Sequence, residues 1–181
     1  MTVQIENRDN GIQIVRLTGA SASKSFSRES LPIIADAIDK GLKNPDIKGM
    51  VITGEGKFFS AGADINAFQE SIEANEAPQL IRDLTNILHP LLMRIRESST
   101  IVVAAINGAA AGGGLGLALA CDARIASPKA KLAASYASIG LSPDGGTTWL
   151  LPRLVGEQRS RQFFFENQIW NAEESANAGA I

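Results

Sequence analysis

The sequence predicts an α/β layered fold, in which short strands alternate with helices over a chain of 181 residues. Two observations support this prediction. The uncharged, largely β-branched segment Ile101–Ile106 is typical of a strand that is buried on both faces. Residues 30–43 and 78–97 place apolar side chains at helical spacing. Because ligands of such folds bind beyond the carboxyl ends of the strands, functional residues are expected in the loops that follow the strands.

The predicted elements follow one another without a recognisable linker, so residues 1–181 are interpreted as one domain. Apolar and polar residues alternate on either side of Asn10-Gly11, which favours a β-hairpin. Ser27 or Ser30 can cap the first helix, and Pro90 is expected to kink or restart the second. In chain order, the predicted elements are hairpin strands Val3–Glu6 and Gly11–Thr18, a helix over 30–43, strand Lys48–Thr53, a helix over 78–97, strand Ile101–Ile106, helix Leu115–Ala120, and helices over 157–168 and from Asn171 onward.

The composition excludes several classes of function. Seventeen basic and nineteen acidic residues give a net charge of −2 without a charged block, which argues against a nucleic-acid surface or an anionic membrane face. The single cysteine, Cys121, rules out an intrachain disulfide and fits a reducing compartment. The N-terminal segment is alternating and charged, unlike a signal peptide, so we expect a cytoplasmic protein.

A membrane-spanning helix is the alternative for the uncharged segment Thr100–Cys121, which is long enough to cross a bilayer. Three of its glycines even have the GxxxG spacing of packed membrane helices. However, each glycine of Gly112–Gly114 would cost a helix about 1 kcal/mol relative to alanine, and Asn107-Gly108 is a turn signal. We therefore expect no membrane association.

Gly112–Gly114 stand where a helix is predicted to begin after the strand Ile101–Ile106. At such a helix N-terminus the backbone N–H groups are unpaired, and together they carry roughly half a positive charge. Glycine lets a ligand approach these groups without a Cβ in the way. The segment is therefore suited to bind an oxygen that carries negative charge.

Three ligands could supply that oxygen. A nucleotide phosphate is disfavoured because the segment lacks the Gly-Lys-Ser/Thr of a P-loop, and a dinucleotide because G-x-G-x-x-G is missing. The third is a thioester or ester carbonyl that becomes an oxyanion, which needs a second donor. The turn Phe58–Ile65 (FFSAGADI) could provide that donor. Alternatively, both turns only allow helices to pack closely on strands, and the residues alone leave these two interpretations open.

Three motifs, in this order, resemble the enoyl-CoA hydratase/isomerase (crotonase) superfamily: FFSAGADI, AAINGAAAGGGLGLALACDARIAS and IGLSPDGGTTWLLPRLVG. The resemblance implies a crotonase-like spiral of ββα units that assembles as a homotrimer or hexamer. It also implies an acyl-CoA substrate, with coenzyme A as part of the thioester and no separate cofactor. The backbone amides of Ala61 and Gly113 would be the two oxyanion donors, and they lie in the two turns described above.

By the same resemblance, Ala63, Asp64 and Ile65 would line the pocket for the adenine of CoA. Lys24 is a candidate partner of a CoA phosphate, although a solvated loop lysine is an equally good interpretation. The family continues for several helices beyond the position matched by Ile181. We therefore expect the C-terminal helical part to be missing or truncated, which leaves pocket closure and trimer formation open.

The family's hydratases position water with two glutamates, and the matching positions here hold Gly116 and Tyr136. Hydration by that pair is therefore in doubt. Asp144 instead resembles the catalytic carboxylate of the family's enoyl-CoA, dienoyl-CoA and ring-opening isomerases, and one carboxylate suffices to move a proton between two carbons. We expect isomerisation through Asp144, although its Pro-Asp-Gly context is also typical of a plain turn. Tyr136 could line the pocket and orient Asp144 or a water.

His89 leaves another alternative open. Together with Asp144 it matches the catalytic pair of 4-chlorobenzoyl-CoA dehalogenase, in which the aspartate attacks the aromatic ring. A histidine on an amphipathic helix is more often structural, however. The remaining alternatives are a hydratase with a different acid and base, and a non-catalytic acyl-CoA-binding subunit. No metal is expected, because the sequence has no cluster of histidines and cysteines that could form a site.

Overall fold

The computed structural model describes residues 2–19 and 26–181, and its strands form two sheets. Lys24 lies outside the described residues, so its contact with a CoA phosphate stays a prediction. The larger sheet contains, in spatial order, β1 (Val3–Asn7), β2 (Ile12–Leu17), β3 (Gly49–Thr53), β5 (Ile101–Ile106) and β7 (Ala123–Ala126). The smaller sheet contains, in spatial order, β4 (Phe58–Ser60), β6 (Ala109–Ala111), β8 (Lys131–Ala133) and β9 (Ile169–Asn171).

The larger sheet begins with the predicted hairpin, in which β1 and β2 pair antiparallel with Val3 opposite Leu17. The strands β3, β5 and β7 continue the sheet in parallel. Val15, Ile52 and Ala104 lie in register on neighbouring strands and are completely buried, so they mark the face that supports the core. The predicted strands therefore form one mixed sheet, as an α/β fold requires.

The helices of the described residues include those that the apolar spacing predicts. The Ser27 hydroxyl accepts from the amide of Ser30, the first residue of the first helix, at 3.0 Å, although the N-cap position itself is Glu29. Asn171 and Glu174 form a capping box at the start of the last helix. The α-helices are α1 (Ser30–Lys43), α2 (Ile65–Glu73), α3 (Ala77–Glu97), α4 (Gly113–Ala120), α5 (Thr147–Val155), α6 (Glu157–Phe165) and α7 (Ala172–Ala178).

The smaller sheet is absent from the sequence prediction, which led from Asn107-Gly108 through three alanines directly into a helix. The structure shows that these alanines form β6, because the Ala109 amide donates to the Lys57 carbonyl at 3.0 Å and so pairs with the segment of β4. Strands of three residues carry too little periodicity to be recognised, and only this long-range pairing defines them.

Pro90 does not restart α3, which was one of the two expectations for it, because the helix continues on both sides of the proline. Proline removes the N–H group that would bond the Asn86 carbonyl, and Asn86 is exposed, so water can supply the missing donor. Leu88 and Leu91 are buried on either side of the proline. Their packing holds both halves of the helix on the core, which outweighs the local penalty.

The core lies between the larger sheet and helices α1, α3 and α4, with Phe59 and Phe163 among the largest side chains that are completely buried. The uncharged segment Thr100–Cys121 forms strands and the helix α4 rather than one membrane-spanning helix. None of the helices in the described residues combines the length and the apolar surface that crossing a bilayer would need.

Asn107 joins the two sheets at the point where the chain leaves β5. Its side-chain oxygen accepts from the Gly54 amide at 2.8 Å, and its side-chain nitrogen donates to the carbonyls of Phe58 at 3.0 Å and Gly56 at 3.2 Å. The amide group thus holds the loop between β3 and β4 against the start of β6. This loop leads into the turn that contains Ala61.

Replacing Asn107 by alanine should lower the free energy of unfolding by about 2–3 kcal/mol, because three hydrogen bonds of about 1 kcal/mol each are lost. Urea unfolding measures the change. Asn66→Ala is the matched control, because Asn66 is exposed and a surface substitution of this kind changes stability by at most about 0.5 kcal/mol. Equal effects of the two substitutions would contradict the role of Asn107.

Cys121 should be unreactive in the folded protein. Its thiol is completely buried, donates to the Leu117 carbonyl at 3.3 Å, and has its pKa raised by burial to about 12. Because only the thiolate reacts, iodoacetamide at about pH 8 should leave the native protein unmodified and alkylate it once after unfolding. Rapid alkylation of the native protein, followed by mass spectrometry, would contradict the described burial.

Candidate active site

The three parallel strands of the smaller sheet all end at one cavity. Ala61 follows β4, Gly112 and Gly113 follow β6, and Ser135 and Tyr136 come shortly after β8. Because parallel neighbours end at the same edge of a sheet, residues from three distant parts of the sequence meet there. The residues predicted for the site do lie beyond the ends of strands, but these strands belong to the sheet that the sequence did not reveal.

The cavity has a volume of about 360 Å³, and most of its wall is apolar. The helix α3 supplies one side of it through Ile81, Leu84 and Leu88, and α2 adds Phe68. His89, Tyr136 and Asp144 are among its polar lining residues and lie close to one another, so their part of the cavity is called its polar end. A mostly apolar cavity with a few convergent polar groups is the usual form of a small-molecule site.

The two glycine-rich turns touch each other through their backbones. Gly62 has a φ of 77°, and a Cβ built on it would lie 2.7 Å from the Ala111 carbonyl oxygen and 3.1 Å from the Gly113 nitrogen. Gly112, with φ 51° and ψ −124°, precedes the first residue of α4 in a conformation that only glycine readily adopts. Glycine at both positions is therefore required for the two turns to meet.

Ala61 and Gly113 both line the cavity, so the structure brings together the two residues predicted as oxyanion donors. Gly113 is the first residue of α4, where the N–H group precedes the helix's own hydrogen-bond ladder. Neither amide nitrogen donates in the turn, loop and capping hydrogen bonds of residues 2–19 and 26–181. The convergence of both N–H groups on one oxygen stays a prediction.

Asp144 and His89 face each other across the polar end of the cavity. The distance from His89 Nε2 to Asp144 Oδ2 is 3.8 Å, which is an ion-pair distance but too long for a hydrogen bond. The side chains are 47% and 39% exposed, respectively, so both are accessible to a ligand. Asp144 is therefore the carboxylate of this cavity, and its turn places it there rather than on the outer surface.

Tyr136 lines the cavity but is 5% exposed, and its hydroxyl donates to the backbone carbonyl of Asp144 at 3.3 Å. Burial, followed by the nearby Asp144 carboxylate, raises the pKa of this phenol above its ordinary value. The phenol is therefore a hydrogen-bond donor throughout the range in which enzymes work. The predicted link from Tyr136 to Asp144 is present, and it reaches the backbone rather than the carboxylate.

The residues predicted to line the adenine pocket separate in the structure. Ala63 and Ile65 line the cavity of Asp144, whereas Asp64 caps α2 by accepting from the Asn66 amide at 3.0 Å. Asp64 also borders a neighbouring cavity of about 650 Å³, together with Arg28. The binding of an adenine group by these residues stays a prediction.

The apolar wall of the cavity is the part of the site that sequence reasoning missed. The sequence predicts the helix over 78–97 without indicating that its leucines line a cavity, and it predicts no helix where α2 lies. A signal for α2 exists, because Asp64 is a typical N-cap and Ile65, Phe68 and Ile72 have helical spacing. Which of these apolar groups face a cavity depends on how the helices pack, and spacing does not show that.

Comparison with known proteins gives three relatives of this chain among others. A crotonyl-CoA hydratase of Syntrophomonas wolfei is 33% identical over 98% of this chain and 66% of its own length. A 1,2-epoxyphenylacetyl-CoA isomerase of Escherichia coli is 31% identical over 96% and 66%. A 4-chlorobenzoyl coenzyme A dehalogenase of an Arthrobacter species is 30% identical over 99% and 64%. The chain thus spans about two thirds of the length of the relatives it matches.

Among solved structures, the chain is similar to that of an enoyl-CoA hydratase from Bacillus halodurans, with a TM-score of 0.90 and 26% identity over all of this chain and 72% of the other. This agreement confirms the crotonase-like fold that the motifs implied. The family model for enoyl-CoA hydratase/isomerase matches residues 7–181, which is nearly the whole sequence. The chain therefore belongs to the enoyl-CoA hydratase/isomerase family.

Proposed function

We propose that the protein isomerises the double bond of an enoyl-CoA thioester, with Asp144 carrying the proton and the amides of Ala61 and Gly113 stabilising the oxyanion. The observation that supports this most directly is the presence of all three residues at one mostly apolar cavity. The isomerase and hydratase names among its relatives agree with an acyl-CoA substrate. The proposal extends to a homotrimer or hexamer, as the resemblance implies, and to the cytoplasm, which the use of a single cysteine favours.

The proposed reaction needs one group that both accepts and returns a proton. The Asp144 carboxylate takes a proton from C2 of a 3-enoyl thioester, and the electron pair moves through the carbonyl carbon to the thioester oxygen. The Asp144 carboxylic acid then returns the proton to C4 as the pair moves back, which leaves a 2-enoyl thioester. No atom is gained or lost, so water takes no part in the reaction.

The two amides act on the charge that this transfer creates. In the substrate the thioester oxygen is nearly neutral, whereas in the dienolate it carries most of a negative charge. Donors fixed beside it therefore stabilise the intermediate more than the substrate, which lowers the barrier. One such donor contributes about 3 kcal/mol, and α4 adds the positive end of its dipole at Gly113.

The pocket disfavours hydration by the usual pair of glutamates. Gly116 and Tyr136 occupy the matching positions, and neither side chain is a carboxylate. In the structure Gly116 packs against the backbone of Gly145, and the Tyr136 hydroxyl bonds the Asp144 carbonyl. Asp144 is consequently the residue to which proton transfer is assigned.

Asp144→Asn should lower kcat for conversion of trans-3-hexenoyl-CoA to its 2-enoyl isomer by about 10²- to 10⁴-fold, because the amide cannot accept the proton. Absorbance of the conjugated thioester measures the rate. Asp36→Asn is the matched control, since Asp36 lies on the outside of α1 and forms an ion pair with the exposed Lys40.

Three results of this assay contradict the proposal in different ways. Isomerisation that survives in Asp144→Asn would show that another group carries the proton. Hydration of crotonyl-CoA by the wild type would indicate a hydratase with a different acid and base. Tight binding of both thioesters without any reaction would indicate a non-catalytic acyl-CoA-binding subunit.

A second candidate function rests on the separation of 3.8 Å between His89 Nε2 and Asp144 Oδ2. In an aryl-CoA dehalogenase the carboxylate would displace halide from the aromatic ring and form an aryl ester. His89 would then take a proton from the water that hydrolyses this ester. The relative from Arthrobacter carries this activity in its name.

His89→Gln separates the two candidates. If isomerisation is the function, the loss in kcat should be at most about fivefold, because a half-exposed ion pair contributes little. The wild type should also release no chloride from 4-chlorobenzoyl-CoA, as an ion-selective electrode would show. Chloride release that disappears in both His89→Gln and Asp144→Asn would replace the first candidate by the second.

A further inference from the structure

We propose that Gly116 and Tyr136 are positioning residues, which together clamp the Asp144–Gly145 backbone at two successive carbonyl groups and so place the Asp144 carboxylate in the cavity. This inference rests on the proposed proton transfer through Asp144. It explains why a glycine and a tyrosine occupy these two positions, rather than only noting that neither is a carboxylate.

Gly116 forms one side of the clamp. It is a buried residue inside α4, and a Cβ built on it would be 2.5 Å from the Gly145 carbonyl oxygen and 3.2 Å from its carbonyl carbon. Real Cβ atoms do not approach backbone this closely, and no flexible side chain could move aside to make room. The peptide between Gly145 and Gly146, one residue after Asp144, therefore rests directly on α4.

Gly145 itself fits this contact. Its φ is 56°, which favours glycine, and a Cβ on it would be 3.7 Å from the Gly116 Cα and 3.9 Å from the Gly113 Cα. The loop therefore packs against both Gly116 and Gly113. Because Gly113 carries one of the proposed oxyanion donors, the contact ties the carboxylate to that donor through two short backbone segments.

Tyr136 and Thr147 form the other side of the clamp. The Asp144 carbonyl oxygen accepts from the Thr147 amide at 3.0 Å, the Thr147 hydroxyl at 2.7 Å and the Tyr136 hydroxyl at 3.3 Å. These donors fix the carbonyl of residue 144, while Gly116 accommodates that of residue 145. The carbonyl groups of residues 144 and 145 are therefore both held in place, and the Asp144 side chain lines the cavity.

The two sides of the clamp differ in strength. The Gly116 contact leaves no room for an added atom, because the neighbouring atoms belong to the backbone. A Cβ at this position must therefore displace the loop. The Tyr136 hydrogen bond is long and is shared with two donors from Thr147, so its loss moves the loop less. Gly116→Ala should consequently have a much larger effect on Asp144 than Tyr136→Phe.

Gly116→Ala should lower kcat for 3-hexenoyl-CoA about 10²-fold, since a displacement of about 1 Å from the reacting atom has this effect. Tyr136→Phe should lower it about fivefold, as for the loss of one neutral hydrogen bond. KM should change less than threefold in both variants, about the effect of losing one weak contact, because Ala61 and Gly113 are unaltered. The rates are measured by absorbance of the conjugated product.

A double-mutant cycle with Asp144→Asn identifies the route of each effect. If Gly116 and Tyr136 act through the carboxylate, their substitution should change the residual rate of Asp144→Asn by less than about twofold. Undiminished effects in that background would overturn the inference while leaving the role of Asp144 intact. Full activity of Asp144→Asn alone would overturn the proposed function, and a wild-type rate for Gly116→Ala would overturn only the clamp.

Ala120→Gly is the control for a general loss of stability. Ala120 is buried at the end of α4, and its replacement weakens the helix without adding an atom next to the loop. It should lower Tm and leave kcat unchanged. If Gly116→Ala does not fold, the cycle is carried out with Tyr136→Phe, which adds no atom, and additivity there equally overturns the inference.

Discussion

The structure depends on one constraint, which is that three backbone segments must meet at the start of α4 without side chains between them. The turn after β4 reaches it through Gly62, and the loop after Tyr136 reaches it through Gly145. On α4 itself, Gly113, Gly114 and Gly116 provide the space, since a Cβ on any of them would overlap a neighbour. Because the three segments meet there, the residues of the proposed oxyanion donors and the carboxylate line the same cavity.

This arrangement has an energetic cost that the packing of α4 offsets. Glycine within a helix costs about 1 kcal/mol relative to alanine, and such residues recur along this short helix. Leu115, Leu117 and Leu119 are essentially inaccessible to solvent, and each contributes roughly 1.5–3 kcal/mol by its burial. Because Leu117 lies on the opposite side of the helix from Leu115 and Leu119, α4 is buried on all sides rather than on one face. Burial of its side chains, rather than helix propensity, therefore stabilises α4.

Local chemistry explains which parts of the fold were predictable. The hairpin at Asn10-Gly11 and the long helices were found because their turn residues or apolar spacing are visible within a few positions. The strands β4, β6 and β8 were not, because three residues have no usable period and are defined by their partners. The exception at Pro90 has the same origin, since tertiary packing on both sides of the proline outweighed its local effect.

The candidate site likewise has one part that local sequence reveals and another that depends on long-range contacts. Ala61, Gly113 and Asp144 were recognisable from motifs, because their roles depend on backbone turns that particular short sequences form. The approach of Gly116 to Gly145 was not recognisable, because it joins positions 29 residues apart and concerns an atom that glycine lacks. This contact also bears on the proposed chemistry: water addition by the usual pair needs two carboxylates, and here the Gly145 peptide fills the space into which a side chain at position 116 would extend. The proposed isomerisation needs only one carboxylate to carry one proton, because the shift of a double bond adds no water.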